Sequence, residues 1–100
     1  MPEGRQRLDK WLWFARFAKT RTVAAKLVAD GLVRVNGTRV SVPAKLVGPG
    51  DVLTIAAAHV TAVVRIVSPG ERRGPAPEAR LLYEDVPRDD GTLVTIPGSG

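Results

Sequence analysis

Apolar residues return at Leu8, Trp11, Leu12 and Ala15, three or four positions apart, and Phe14 and Ala18 widen the same stripe. That spacing predicts an amphipathic helix over residues 8–18 with one face turned to a core. Trp11 and Phe14 fall on the inward side, and the partly exposed aromatics are to be sought at Trp13 and Phe17. Thr20 is placed to cap a second helix running to Asp30, in which Val23, Ala24, Leu27 and Val28 repeat at helical period and Gly31 marks the end. Two short helices joined by a tight turn are expected.

The period then changes from helical to alternating. In Val33-Arg34-Val35-Asn36-Gly37-Thr38-Arg39-Val40 the Asn-Gly pair suits the two positive φ angles of a type I′ turn, which predicts a two-residue hairpin. Its register follows: Val35 opposite Thr38, Arg34 opposite Arg39, Val33 opposite Val40. The cluster Gly48-Pro49-Gly50-Asp51 reads as a turn before a strand over 52–55, and the β-branched run 60–67 completes a small sheet. Residues 68–77 are rich in Gly and Pro and carry Arg72 and Arg73, which suggests an exposed loop. Pro77 is suited to open a short helix over 78–84 that packs Leu81, Leu82 or Tyr83 onto the sheet. Residues 1–6 read as a flexible lead-in and residues 87–100 as a tail of low order, with one short apolar run at 93–96.

At 100 residues the chain makes one small domain, which rules out two independently folding units and leaves little room for a deep cleft. Charge adds a direction. Residues 1–50 hold ten basic and three acidic side chains, whereas residues 51–100 hold five and seven. One-sided positive charge of this kind is a footprint for a polyanion, against the plainer reading of a solvated surface. Position favours the former. Arg16, Lys19 and Arg21 crowd the turn into the second helix, beside its positive N-terminal end. Arg34 and Arg39 face each other across the hairpin, where like charges destabilise; an anion across them accounts for the pair, and so do two long side chains splayed in water.

The chain has no cysteine, which excludes disulfides, thiolate metal sites and cysteine nucleophiles. No apolar run reaches the roughly 20 residues of a membrane span and the N-terminus lacks the pattern of a signal peptide, so the expected compartment is the cytoplasm, with no membrane partner. His59 stands without a Ser or carboxylate at any motif spacing, and a structural role is assigned to it. Asp9 near the first helix start is read as structural, complementing the helix dipole. Asp89-Asp90-Gly91 is a turn signature, because further oxygen ligands of a calcium loop are missing. Gly-rich phosphate loops, zinc spacings and nucleophile elbows are absent from the sequence, so neither catalysis, metal nor cofactor is expected.

Several separated segments carry a resemblance. Arg7-Leu8-Asp9-Lys10-Trp11-Leu12-Trp13-Phe14-Ala15-Arg16-Phe17, then Lys19-Thr20-Arg21-Thr22, then 31–37 and 47–53, resemble in order and spacing the S4 RNA-binding domain. The Asp-Lys-Trp-Leu-Trp start, the segment 71–79 and Leu82-Tyr83-Glu84 resemble more narrowly the ribosome-associated heat-shock protein family built on this domain, that of the fifteen-kilodalton heat-shock protein. The resemblance implies an α+β, S4-like (alpha-L) fold: two short N-terminal helices packed on a small, mainly antiparallel sheet, with residues 7–67 as the RNA-binding domain. It also implies a non-enzymatic protein that binds structured ribosomal RNA, with transfer RNA within reach, on large ribosomal subunits carrying a nascent chain on tRNA. By position, Arg7, Lys10, Arg16, Lys19, Thr20 and Arg21 match the RNA-facing helical motif, and Arg34, Asn36 and Arg39 its hairpin; Lys26 is counted with them. Longer relatives continue into a basic C-terminal helical extension where this sequence has an acidic, Gly-closed tail, from which ribosome binding that is weaker or restricted to one contact is expected.

Two other readings stand beside this one. Two helices followed by a basic hairpin also describe a winged-helix DNA-binding module, although residues 23–28 offer a groove mainly small apolar side chains. The domain would also serve as the RNA-targeting subunit of an RNA-modifying enzyme.

Overall fold

The computed structural model describes residues 4–58 and 61–86. The chain runs β1 (Gln6–Arg7), α1 (Leu8–Phe14), α2 (Arg21–Ala29), β2 (Val33–Val35), β3 (Thr38–Val40), β4 (Leu46–Val47), β5 (Val52–Ala56), β6 (Thr61–Ile66), α3 (Ala76–Ala79), a 3-10 turn (Arg80–Leu82) and β7 (Tyr83–Asp85). Strands β3-β2-β5-β6-β7 form one antiparallel sheet in that order, and β1 pairs with β4 in a second, two-stranded one. This is the α+β arrangement expected from the sequence: two short helices on a small antiparallel sheet. Among the described residues no helix is long and apolar enough to cross a membrane.

Alternation along the strands separates a core face from an outer face. Val35, Leu53 and Val64 lie in one cross-strand row and Val33 beside Ile55, all buried. Leu8, Trp11, Leu12, Ala15, Ala24 and Val28 of the helical layer join them in a single cluster. Arg34, between two buried valines, is therefore on the outer face beside Thr54 and Arg39. The hairpin register is the expected one, and Asn36 (φ 52°) and Gly37 (φ 86°) both take the positive φ of the type I′ turn.

Four expectations change. The lead-in ends sooner, since Gln6 pairs with Val47 in β1 and its side-chain amide exchanges two hydrogen bonds with the Gly70 backbone. Helix α1 stops at Phe14 instead of Ala18, because Arg16 turns left-handed at φ 68°. The loop over 68–77 is not simply exposed: the Trp11 indole N–H donates to the Ser68 carbonyl at 3.0 Å, and Gly70 and Gly74 are buried. The helix expected over 78–84 is instead α3, which starts earlier, followed by one 3-10 turn, after which Tyr83 and Glu84 join β7. Leu82 and Tyr83 pack on the core, whereas Leu81 is exposed. Val60, His59, the Asp89-Asp90-Gly91 turn and the tail lie outside the described residues.

The Gly70 contact yields a test of the packed loop. A Cβ there would stand 2.7 Å from both Cβ and Cδ2 of Phe14, a side chain buried in place. Gly70→Ala is therefore expected to cost about 1–3 kcal/mol, read as a lower urea midpoint. An unchanged midpoint would mean the loop does not rest on α1.

Candidate nucleic-acid interface

Both helices end in the same backbone device. In α2, Gly31 at φ 75° donates to the Val28 carbonyl and Leu32 to that of Leu27, the paired bonds of a Schellman motif. In α1 the Arg16 N–H donates to Trp13 and the Phe17 N–H to Leu12, so a cationic residue occupies the position usually given to glycine. A non-glycine residue in this conformation is strained by roughly 1 kcal/mol. The Arg16 side chain is exposed, and its guanidinium donates to the Gly74 carbonyl at 3.0 Å. Arg16→Gly is expected to be about 1 kcal/mol more stable than Arg16→Ala, with the guanidinium lost in both. Equal melting temperatures would contradict the strain at this position.

Thr20 caps α2 as expected, its hydroxyl accepting from the Val23 N–H at 3.1 Å. Asp9, 2% exposed, is the organiser of the preceding stretch. Arg7 donates to both its carboxylate oxygens at 3.2 and 3.1 Å, and the Arg21 Nε lies 3.6 Å away. One buried carboxylate thus holds an arginine from β1 and one from α2 side by side, a structural role beyond the helix-dipole complement expected from its place in the first turn of α1. Lys10 lies with its ammonium 5.7 Å from the Phe14 ring centroid. Phe14 and Trp11 are buried, and Trp13 and Phe17 are half-buried, as the helical stripe implied.

On the hairpin, Arg34 and Arg39 are directly opposed and both exposed. Arg39 also reaches back to α2, its Nε 3.2 Å from where a Cβ on Gly31 would stand. That places a guanidinium at the negative C-terminal end of the helix. Asn36 has a different task from that expected: its side chain donates to Asp51 at 3.1 Å and accepts from the Val52 N–H at 2.9 Å. It locks the hairpin tip to the start of β5. Lys26, on the exposed side of α2, pairs with Asp30 at 3.3 Å.

The structure thus gathers the expected residues into separate groups: Arg7 and Arg21 on Asp9, Arg16 and Lys19 at the turn after α1, and Arg34 and Arg39 on the hairpin. Ion pairing divides these groups, since Arg7 and Arg21 share a carboxylate and the other two groups have none, as is also true of Arg5, Lys10, Lys45 and Arg73 among the described residues. In the second half Arg65, Arg72 and Arg80 each lie within 3.9 Å of a carboxylate, from Glu84, Glu78 and Asp85 respectively. Among the described residues Arg16, Lys19, Arg34 and Arg39 have no such partner. Arg73, in the segment expected to be an exposed loop, joins Arg16 and Lys19 around one groove. Only its place next to Arg72 in a Gly/Pro-rich segment was visible in the sequence.

Two layered helices, a basic turn and a basic hairpin define an S4-domain protein, and the family model for the S4 domain matches residues 6–53. The solved trimeric Heat Shock Protein 15 of Vibrio cholerae superposes with a TM-score of 0.75 at 41% identity, covering 82% of each chain. The chain belongs to the heat shock protein 15 family. Heat shock protein 15 of Escherichia coli K12 is 44% identical over 84 residues, and its homolog in Haemophilus influenzae 40% over 85. The chain spans 62% and 64% of the lengths of these two relatives, and 84% and 85% of it is matched. A shorter match, 50% identical over 50 residues, is to the small ribosomal subunit protein uS4 of Aquifex aeolicus, covering half of this chain and 24% of that protein.

Proposed function

We propose that this protein is a non-enzymatic RNA-binding module of the cytoplasm that docks on structured ribosomal RNA. The observation that carries the reading is the set of exposed cations without carboxylate partners at the turn after α1 and on the hairpin. Cations without a carboxylate partner, two of them directly opposed arginines, find an anionic partner in phosphate oxygens. Arg16, Lys19, Arg34 and Arg39 make the main phosphate contacts, Arg7 and Arg21 add to them from their seat on Asp9, and Lys10 and Lys26 lie at the margin. Thr20 and Asn36 position the neighbouring cations through the backbone.

The likeness to heat shock protein 15 and to a ribosomal protein supports ribosomal RNA as the target; the proposed site of action is the large ribosomal subunit that carries a nascent chain on tRNA. Its role there is in rescue, recycling or quality control. Sucrose-gradient sedimentation of lysate before and after puromycin release of nascent chains tests this. The expected result is comigration with large subunits that fades on release. Migration only at the top of the gradient at low salt would remove the ribosome as partner.

A further inference from the structure

A groove of about 550 Å³ opens beside the turn between α1 and α2. Phe17, Val23 and Leu27 give it apolar surface, Arg16, Lys19 and Arg73 bring three cationic side chains to it, and no acidic residue lines it. Its size falls in the range of small-ligand sites, about 300–1,000 Å³. Two details show that it is not simply covered surface. Val23 stands 44% exposed in the first turn of α2, where a polar residue would serve the helix equally well. The Arg73 Nε is buried and has no hydrogen-bond partner among the described residues. A buried donor of a charged group without an acceptor is costly, and drawing the Arg73 side chain out toward an acceptor in the groove relieves it.

The phosphate backbone of a fully paired stem would satisfy Arg16 and Lys19 but offers nothing to cover Phe17, Val23 and Leu27. A single nucleotide displaced from its stack offers both: a base with apolar faces and acceptor-bearing edges, joined to two phosphates. We propose that the groove receives one unpaired nucleotide of the bound RNA. Its base lies on Phe17, Val23 and Leu27, its flanking phosphates meet Arg16 and Lys19, and an acceptor on the base or ribose engages Arg73. The inference rests on the RNA-binding reading above and narrows it: the preferred target is a helix interrupted by an unpaired nucleotide.

Two hairpin RNAs closed by the same compact tetraloop, whose bases stay stacked within the loop, and identical except for one unpaired uridine in the stem, titrated by fluorescence anisotropy at one ionic strength, provide the test. The protein is expected to bind the interrupted hairpin on the order of 10-fold more tightly, the scale of one base stacked on a side chain. Val23→Ser changes a half-exposed residue without altering charge, and is expected to erase most of that preference while leaving the fully paired hairpin's affinity unchanged. Leu27→Ala, with its fold checked by circular dichroism, should do the same. Equal binding of the two hairpins by the unaltered protein would overturn the proposal, as would a preference that survives both substitutions. Binding to neither hairpin would overturn the RNA-binding reading itself, an outcome distinct from binding both alike.

Discussion

Replacing Trp11 by alanine is expected to destabilise the domain by about 3–5 kcal/mol, the largest effect of any single substitution considered. Trp11 is fully buried and the largest of the buried side chains. It contacts Phe17 at 6.0 Å between ring centroids and meets Tyr83 edge-on at 6.3 Å, so it bridges the turn after α1 and the last strand. Its indole N–H also holds the Ser68 carbonyl. Alanine would leave a cavity and free the 68–74 segment at once, against a total stability of about 5–15 kcal/mol for a typical domain. In thermal unfolding the Tm should fall by about 12 °C or more, given about 4–8 °C per kcal/mol at this size. Trp11→Phe, which keeps most of the volume and loses the hydrogen bond, should cost only about 1–2 kcal/mol. Similar losses for the two variants would show that packing volume is not the dominant contribution.

Changing Arg34 and Arg39 together to alanine is expected to separate binding from stability. If each guanidinium displaces one counterion from RNA phosphate, the slope of log affinity against log salt becomes shallower by roughly 1.5 to 2. At about 0.1 M salt that corresponds to roughly 30–100-fold weaker binding. The stability of the free domain should change by no more than a few tenths of a kcal/mol, because relief of a directly opposed like-charge pair is offset by loss of the Arg39 guanidinium from the C-terminal end of α2. A large loss of affinity at nearly unchanged stability would mark the pair as retained for a ligand. An unchanged salt slope with unchanged affinity would move the interface away from the hairpin.

Much of the candidate interface was legible in the chain because its determinants are local. The Thr20 cap, the Gly31 stop and the Asn36-Gly37 turn each depend on residues within a few positions, and each stands where the spacing put it. The hairpin register followed from turn length alone, and with it the opposition of Arg34 and Arg39. Arg16 was legible as a cation in a basic turn but not as the left-handed terminator of α1. A non-glycine residue is a poor candidate for that position, and the conformation is held by Phe17 packing against Trp11 and Tyr83.

What the sequence by itself determined about this protein is therefore the helical pair, the hairpin and the polarity of charge, all properties of short segments with a period or a turn signature. Only the tertiary structure decided which arginines are compensated and which are free, since Arg7 and Arg21 meet on Asp9 and Arg65 meets Glu84 through packing. It also decided the β1–β4 pairing and the seating of residues 68–74 on α1. Strands of two residues have no periodicity to read, and the bonds from Gln6 to Gly70, Trp11 to Ser68 and Arg16 to Gly74 cross 57 to 64 positions of chain. Contacts of that separation leave no local pattern, because each end is chosen to suit a partner brought near only by the closed core.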